Sequence, residues 1–304
     1  MSPVCDLIVI GAGPAGITAS VYAARKKMDI LVITLDIGGQ TAWSGDIENY
    51  TGYQFVTGPE LAAKFEEHLR TYQIALKEGE RAMEVRKEGN LVSVKTDKSM
   101  YQAKALIIAS GKRTKELNVP GEKAFKNRGL TYCATCDGPL FVNKVVAVIG
   151  GGNSALDATL QLMRIAQRVH LVNSTLQLGG DAIMREKVQA ADNVTLYNET
   201  QVLEVLGERF VQGIRVTKKG KEELLPVEGV FVEIGLLPNS EFCPQVEKNE
   251  RGEIKINAYN ETNVAGIFAA GDVSDVPEKQ IIIAAGEGSK AALSAFRYLA
   301  QHTF

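Results

Sequence analysis

Residues 7–16 read LIVIGAGPAG: a short apolar run passes directly into a G-x-G-x-x-G loop, and an alanine-rich segment follows. The apolar run predicts a buried β-strand, and the segment after the loop predicts a helix. In that context Gly11 allows a tight turn, Gly13 lets the backbone approach a pyrophosphate, and Gly16 packs the helix against the strand. A second apolar run at 30–34 completes a βαβ unit. The stretch predicts a dinucleotide-binding domain, although a single loop of this kind is also compatible with a tight turn that holds no ligand.

The same pattern returns later in the chain. The apolar run Val145–Ile149 leads into a second glycine loop, 150–155, which reads GGGNSA and precedes a predicted helix at 154–166 and a strand at 169–172. Its last position is Ala155 rather than glycine, a variant that suits slightly wider packing between helix and strand. Because both loops lie between a strand and a helix, the pair favours two nucleotide sites over two empty turns.

Two cysteines lie between the glycine loops, in the segment 131–138, which reads TYCATCDG. The spacing of Cys133 and Cys136 lowers the pKa of a thiol and allows a short, reducible disulfide. A zinc site needs four ligands, and the sequence holds neither a second such pair nor histidines at ligand spacing, so no metal site is predicted. Asp137 is either a solvated loop carboxylate or a proton donor to the leaving thiolate. The order predicts an electron path: one dinucleotide holds a flavin, another delivers hydride, and the dithiol passes the electrons on.

The rest of the pattern predicts how these regions are arranged along the chain. Polar and apolar residues alternate at 82–104, which predicts an antiparallel hairpin or a small three-stranded sheet. Proline and glycine mark candidate hinges near 119–121 and 242–244. We therefore predict an α/β fold of three layers with two Rossmann-like dinucleotide-binding domains, the second inserted into the first. The predicted boundaries are 1–115 with 244–304 for the first domain and 116–243 for the second.

Composition excludes several other classes of function. The 304 residues are 45% hydrophobic and 23% charged, which is ordinary for a globular protein and argues against disorder or collagen-like repeats. Lysine and arginine total 34 against 36 acidic residues, so the net charge of −2 gives no electrostatic case for binding nucleic acid or an anionic membrane. Four cysteines are typical of a reducing compartment, and the N-terminus does not read as a signal peptide. We predict a cytoplasmic protein.

With these residues in view, the chain closely resembles the low-molecular-weight thioredoxin reductases, and the similar flavoprotein part of bacterial alkyl hydroperoxide reductase, over essentially its whole length. Beyond the loops and the dithiol, the resemblance rests on five short motifs: Gly38-Gly39-Gln40, Glu48-Asn49-Tyr50, Ala109-Ser110-Gly111, Gly271-Asp272-Val273, and Gln280 with the later AAGEG of 284–288. It implies a homodimer with FAD in the discontinuous domain and the dithiol on the inserted domain. Rotation of that domain would present the nicotinamide and the dithiol to the flavin in turn.

The resemblance also assigns roles to residues. Cys136 would lie next to the flavin, Cys133 would attack the protein substrate, and Asp137 would handle protons. The residues implied for FAD are Gly11, Gly13, Pro14, Ala15, Gly16, Gly39, Gln40, Asn49, Gly111, Gly271, Asp272, Gln280 and Ile281. Those implied for a nicotinamide nucleotide are Gly150, Gly152, Asn153, Ser154 and Asn173.

The chain departs from the family at the site of the electron donor. NADPH-using members carry a basic His-Arg-Arg-x-x-x-Arg segment where this chain has Asn173, Ser174, Thr175 and Gly179, so the cations that would bind a 2′-phosphate are missing. NADH-using relatives usually carry an acid at position 173; asparagine can still hydrogen-bond a ribose hydroxyl, but without charge assistance. We predict weak or NADH-leaning use of nicotinamide. The choice between NADH and NADPH stays open, and a reduced ferredoxin-like protein is an alternative donor.

The leading functional prediction is a thioredoxin-disulfide reductase, a flavoprotein that passes electrons through FAD and the Cys133 and Cys136 pair to a thioredoxin-like protein. Three alternatives remain: a ferredoxin-dependent thioredoxin reductase, a flavin-dependent dithiol oxidase that produces hydrogen peroxide, and a flavin-binding redox sensor without turnover. All four expect FAD and exclude nucleic acid and membrane as partners.

Overall fold

The computed structural model describes residues 4–44 and 46–302, with the side chains of Asp46 and Cys136 outside that description. The helices are α1 (Pro14–Arg25), α2 (Gly58–Arg70), α3 (Glu122–Phe125), α4 (Ala134–Asp137), α5 (Asn153–Leu162), α6 (Ala182–Gln189) and α7 (Ile281–Gln301). The strands are β1 (Cys5–Ala12), β2 (Ile30–Ile37), β3 (Asp46–Ile47), β4 (Val56–Thr57), β5 (Ala75–Glu78), β6 (Ala82–Glu88), β7 (Leu91–Thr96), β8 (Met100–Ile108), β9 (Lys112–Thr114), β10 (Leu130–Thr131), β11 (Val145–Ile149), β12 (Arg168–Val172), β13 (Val194–Tyr197), β14 (Thr200–Gly207), β15 (Val211–Lys218), β16 (Lys221–Pro226), β17 (Gly229–Val232), β18 (Leu236–Pro238) and β19 (Ile267–Ala269).

The chain divides into two compact units. Met1–Arg113 and Leu237–Phe304 form one, called here the discontinuous unit, and Thr114–Leu236 forms the other, called the inserted unit. Cys243, which the sequence places near a hinge, is fully buried in the core of the discontinuous unit. Its segment is held there because the Val85 N–H donates to the Phe242 carbonyl at 2.8 Å.

The discontinuous unit is built on a parallel sheet with β1 at its centre. β1 pairs in parallel with β2 on one side and with β8 on the other. The other edge of β8 is shared, because its first half pairs antiparallel with β7 and its last residues pair in parallel with β19. The sequence predicts an antiparallel hairpin or small sheet at 82–104, and the apolar residues 105–109 that follow could form a strand of their own. The structure joins residues of both in one strand, β8, since no turn residue interrupts the run and burial simply becomes continuous from Ala105 onward.

Small residues let helices α1 and α7 approach closely. A Cβ added to Gly288 on α7 would lie 2.0 Å from the Ala15 carbonyl oxygen on α1, and one added to Gly16 would lie 1.9 Å from the Gly11 oxygen. The side chains of Ala15 and Ala284 belong to the same buried core as Leu7 and Ile107. The first glycine loop is therefore clamped between its own strand and α7.

The inserted unit contains a purely parallel sheet in the order β10-β17-β11-β12-β13. The helix predicted at 154–166 is shorter in the structure and ends at Leu162. Asn193 explains the early end, because its amide donates to the carbonyls of Met163 and Ala166 at 2.9 and 3.3 Å.

A second antiparallel sheet, β14-β15-β16, covers one part of the inserted unit and was not predicted. The sequence does contain features that favour this sheet, namely alternating apolar residues and a Lys219-Gly220 turn. Both turn residues have positive φ, 52° and 79°, as a tight two-residue hairpin requires. Its buried hydrophobic side chains are those of Val205, Val211, Ile214, Val216 and Leu225.

The packing of α7 generates a matched pair of mutations. Gly288→Ala would force a methyl group into the backbone of α1, and we expect it to lower the free energy of unfolding by about 2 kcal/mol or more. Gly286→Ala is the control, because a Cβ there meets no atom within 4 Å and alanine favours a helix over glycine by about 0.5–1 kcal/mol. Urea unfolding of both variants measures the difference; equal stability would show that α1 and α7 are not closely packed.

Candidate functional site

In the first glycine loop, Gly11 is needed for close packing, whereas Gly13 faces open space. Gly11 has φ +103°, and a Cβ there would lie 2.3 Å from the Ala109 carbonyl oxygen. Gly13 caps the N-terminus of α1 without a side-chain hydrogen bond, and a Cβ on it would meet only the Gly38 oxygen, at 3.9 Å. Pro14, at the first position of α1, has no N–H to satisfy. The loop leaves room beside a helix N-terminus, where backbone N–H groups and the helix dipole favour a phosphate.

The end of β2 and the end of β8 lie beside this loop. The Gly38 N–H donates to the Ala12 oxygen at 2.8 Å, and a Cβ on Gly39 would lie 3.3 Å from the Gly13 Cα. Gln40 donates its amide to the Lys112 oxygen at 3.2 Å, and the same nitrogen would lie 3.9 Å from a Cβ on Gly111. The structure therefore brings Gly13, Gly39, Gln40 and Gly111 together.

The beginning of α7 supplies a second group of the predicted residues. Gln280 caps this helix, and its side-chain oxygen accepts from the Asn49 amide at 3.1 Å. Ile281 packs against the small cluster of Ile47, Val56 and Leu61. Asn49 and Gln280, 231 residues apart in sequence, are neighbours on the surface of the discontinuous unit.

The 3₁₀ turn Gly271–Val273 carries the predicted acid. Gly271 has φ +74°, and a Cβ there would lie 2.9 Å from the Ala15 Cβ, so the turn packs directly on α1. Burial raises the pKa of Asp272, while Lys279 and Lys112 oppose that shift.

A buried ion cluster beside this turn was not predicted from the sequence. Glu253, 5% exposed, accepts from Lys112 at 2.9 Å and lies 3.1 Å from the Lys279 ammonium group. Burial opposes ionisation, but hydrogen bonds from Lys112, Asn249 and Lys279 outweigh it and lower the pKa of Glu253 to about 2. Lys279 also donates to the Ser274 carbonyl at 2.5 Å. No local sequence motif predicts this cluster, because Lys112 and Glu253 are 141 residues apart in the chain.

The inserted unit collects its predicted residues along one edge. All strand pairs of its parallel sheet run in the same direction, so the segments after the strands leave from the same edge. In sheet order these segments carry Cys133, Glu233, the second glycine loop 150–152, Asn173 and Asn198. The strand order reverses at β11, and open α/β sheets bind ligands in the crevice at such a reversal.

The second glycine loop repeats the design of the first. Gly150 has φ +142°, and a Cβ there would lie 2.2 Å from the Glu233 oxygen. Gly152 caps α5, and a Cβ on it would meet no atom within 4 Å. The Asn153 side-chain oxygen accepts the N–H of Asp181 at 2.7 Å, and Ser154 is exposed in the first turn of α5. This loop has space for a phosphate at a helix N-terminus.

Asn173 points into its own loop. It is 2% exposed; its amide group donates to the Thr175 carbonyl at 3.0 Å and to the Asn198 side chain at 2.9 Å. Its side-chain oxygen accepts from the N–H and the hydroxyl of Thr175 at 3.2 and 2.9 Å. An asparagine amide offers two hydrogens and two lone pairs, and these contacts use both hydrogens and the oxygen; the single Thr175 hydroxyl hydrogen is also within 2.7 Å of the Gln177 carbonyl oxygen. In this conformation Asn173 shapes the loop, and both hydrogens of its amide are used within the loop and not for a ribose hydroxyl.

The dithiol segment is held by short-range hydrogen bonds. Cys133 is half-buried and disulfide-bonded, and its N–H donates to the Thr131 hydroxyl at 3.2 Å. That hydroxyl in turn donates to the Asp137 carboxylate, whose own N–H donates to the Cys133 carbonyl at 3.2 Å. The side chain of Cys136, predicted as the second redox cysteine, lies outside the described residues. Asp137 is therefore tied to Thr131 and Cys133 rather than freely solvated.

Sequence reasoning missed a buried carboxylate next to this segment. Glu122 is 1% exposed and accepts from the N–H groups of Leu117 and Asn118 at 2.7 and 2.6 Å. It also accepts from the hydroxyl of Tyr132 at 2.9 Å, and burial raises the pKa of that tyrosine above its ordinary range. Glu122 thus fixes the residue that precedes Cys133.

Cys5 and Cys243 are free and buried, and burial raises the pKa of each thiol to about 11. Such thiols are poor nucleophiles at neutral pH. Among the described residues, no group of three or more His, Cys, Asp or Glu side chains is placed to hold a metal ion. Over 4–44 and 46–302, no helix is both long enough and apolar enough to cross a membrane.

Comparison with known proteins identifies relatives over nearly the whole chain. The F subunit of alkyl hydroperoxide reductase from Staphylococcus aureus is 41% identical over 298 residues, which cover 97% of this chain. The match covers 59% of that relative, so the chain spans about three fifths of the length of the curated relatives it matches.

Two solved structures extend the comparison. Lactococcus lactis thioredoxin reductase has a TM-score of 0.91 at 32% identity, and the match covers 98% of this chain and 100% of that one. A ferredoxin-flavin thioredoxin reductase from Clostridium acetobutylicum has a TM-score of 0.55 at 30% identity, with 98% and 99% covered. The predicted α/β class and the predicted resemblance are confirmed. Residues 5–288 match the family described as pyridine nucleotide-disulphide oxidoreductase, and this chain belongs to that family.

Proposed function

We propose that this chain is an FAD-dependent disulfide reductase that passes electrons through FAD and the Cys133 and Cys136 pair to a thioredoxin-like protein. The observation that carries the proposal is the carboxyl edge of the inserted unit. There the disulfide-bonded Cys133 and the second glycine loop follow two strands, β10 and β11, that both pair with β17. The proposed hydride-donor site and the redox cysteine would thus share one edge of one sheet, which supports an electron path through a single flavin.

The discontinuous unit fits FAD. The open space beside Gly13 suits the pyrophosphate at the N-terminus of α1, and Asp272 and Asn49 offer polar groups for the rest of the cofactor. When bound, FAD accepts a hydride equivalent and passes two electrons to a disulfide. We assign FAD to the discontinuous unit, and the nicotinamide nucleotide and the dithiol to the inserted unit.

The residues of the dithiol segment carry the exchange with the partner. In the reduced state the Cys133 thiolate attacks one sulfur of the partner disulfide, and the other partner sulfur leaves as a thiolate. Asp137, whose carboxylate accepts from the Thr131 hydroxyl, relays a proton from solvent to that thiolate. The Cys136 thiolate then attacks the Cys133 sulfur of the mixed disulfide, the second partner sulfur leaves as a thiolate that takes up a proton from solvent, and the Cys133–Cys136 disulfide is restored. We further propose that the enzyme works as a homodimer.

A ferredoxin-dependent thioredoxin reductase is the second candidate function. It is favoured by the loop after β12, where Ser174, Thr175 and Gln177 are exposed and uncharged and Asn173 is turned inward. The similar Clostridium acetobutylicum protein is itself named for ferredoxin. A nucleotide bound here would lack the charge-assisted contacts that discriminate a 2′-phosphate.

Flavin binding provides the first test. Gly13→Val should lose most of its FAD, because the added side chain fills the space left for the pyrophosphate while the neighbouring backbone stays clear. Gly152→Val is the matched control at the second loop and should keep FAD. Flavin absorbance per chain measures the outcome, and circular dichroism checks that both variants fold. Full flavin content in Gly13→Val would assign the FAD site elsewhere.

The redox pair is tested by anaerobic reductive titration. Wild type should take up about four electrons per chain, two for the flavin and two for the disulfide, whereas Cys133→Ser and Cys136→Ser should take up about two. Cys133→Ser should also show a long-wavelength charge-transfer band from the Cys136 thiolate beside oxidised flavin. Appearance of that band in Cys136→Ser instead would exchange the two roles, and equal electron uptake would reject the pair. Hydrogen peroxide formation with a small dithiol would identify the oxidase alternative.

The electron donor is tested by stopped-flow reduction of the flavin. Each charge-assisted hydrogen bond to a phosphate contributes about 1.5–3 kcal/mol, so NADPH should have no clear advantage over NADH in this chain. We expect slow or NADH-leaning reduction by nicotinamide and compare it with reduced ferredoxin. A strong preference for NADPH would contradict the interpretation of the loop, and failure of both nucleotides with rapid reduction by ferredoxin would establish the second candidate.

A further inference from the structure

Glu233 occupies the carboxyl end of β17, directly beside the second glycine loop. Val232 is in register with Ile149, and the Glu233 N–H donates to the Ile149 oxygen at 2.8 Å. The Glu233 carbonyl oxygen lies 2.2 Å from where a Gly150 Cβ would be. These contacts fix the backbone of Glu233 against the turn that faces the proposed pyrophosphate.

The strand order decides which half of a dinucleotide lies near Glu233. β11 has β12 on one side and β17 on the other, which makes it the point of reversal in the sheet. In this type of fold the ribose of the adenosine half contacts the end of the second strand, here β12. The nicotinamide half then extends over the opposite side of the loop, toward β17. Glu233 is the titratable residue at the end of that strand.

The surroundings of Glu233 favour the neutral form of its carboxyl group. Burial raises the pKa of Glu233 to about 8, and the negative charge of Asp157 on α5 adds to the shift. The adjacent strands β10 and β11 carry no charged side chain. The neighbouring connection carries Lys115 and Glu116, and the Lys115 N–H donates to the Gly235 oxygen at 2.9 Å. A protonated carboxyl both donates and accepts hydrogen bonds, whereas an ionised one only accepts.

We propose that Glu233 determines which redox state of the nicotinamide nucleotide the enzyme binds: its neutral carboxyl accommodates the uncharged reduced ring, and its ionised carboxylate favours the cationic oxidised ring. The inference rests on the proposed nicotinamide site in the inserted unit. The nicotinamide ring carries a positive charge only when it is oxidised, so its attraction to Glu233 changes with the protonation of this one group. By linkage, binding of NAD⁺ releases a proton from Glu233 to solvent, whereas binding of the reduced form does not.

Calorimetric titration of the FAD-loaded full chain tests this inference. The ligands are NAD⁺ and 1,4,5,6-tetrahydro-NAD, whose uncharged ring cannot donate a hydride and so does not reduce the flavin. Between pH 6 and pH 9.5 we expect the ratio of the NAD⁺ Kd to the analogue Kd to fall by about tenfold. Repulsion between the carboxylate and the pyrophosphate acts on both ligands and cancels in that ratio. Buffers of different ionisation enthalpy should show net proton release with NAD⁺ alone.

Three variants make the test specific. Glu233→Gln keeps the shape and removes the titration, so its Kd ratio should not change with pH. Asp157→Asn removes the nearby negative charge and should shift the midpoint of the wild-type transition to lower pH. Glu208→Gln is the matched control, because Glu208 is exposed in the β14–β15 turn, away from the carboxyl edge, and should leave the transition unchanged.

The outcomes separate this inference from the proposed function. A wild-type ratio that stays constant with pH while both ligands bind would overturn the role of Glu233 and leave the disulfide reductase intact. Absence of binding by either ligand at every pH would overturn both the role of Glu233 and the nicotinamide site. The electron uptake of the flavin and the dithiol, measured separately, would then decide whether the reductase takes its electrons from a protein donor.

Discussion

Parallel pairing on both sides of the strand before each glycine loop is the constraint on which the rest of this molecule depends. β1 is held between β2 and β8, and β11 between β12 and β17. A strand held in this way delivers its loop to the point where the sheet order reverses, which is where a nucleotide can lie. The close approach is visible in the backbone, because Gly11 and Gly150 both have positive φ and face a carbonyl oxygen where a Cβ would be.

Each unit contains a buried carboxyl group held by different partners, and each set of contacts fixes a segment of the proposed site. In the discontinuous unit, Glu253 is ionised between two lysines, and Lys279 also donates to the carbonyl of Asp272 at 3.4 Å. In the inserted unit, Glu122 accepts two backbone N–H groups and the hydroxyl of Tyr132. A buried carboxylate without such partners would be costly, so these networks hold their segments in one arrangement.

The electrostatics of the inserted unit distinguish it from a site built for a doubly charged phosphate group. The loop after β12 presents uncharged side chains, and the side chain of Asn173 hydrogen-bonds to Thr175 and Asn198. The titratable group at the other end of the proposed nucleotide site, Glu233, is shifted toward its neutral form by burial and by Asp157. Our proposal is that a site of this character responds to the charge of the nicotinamide ring more than to a phosphate on the adenosine ribose.

The sequence by itself determined the two glycine loops, the Cys-x-x-Cys segment and the α/β class, because each depends on spacing over a few consecutive residues. It also predicted that Gln40, Asn49, Asp272 and Gln280 belong to one site, through the family resemblance. Only the tertiary structure decided that Asn173 turns inward, that β8 is one strand shared by two kinds of pairing, and that Glu253 joins Lys112 and Lys279. The physical reason is that burial and pairing come from residues far apart in the chain. The raised pKa of Glu233 arises in the same way. Its carboxyl group becomes buried, and comes close to the charge of Asp157, only once β17 lies beside β11 and α5.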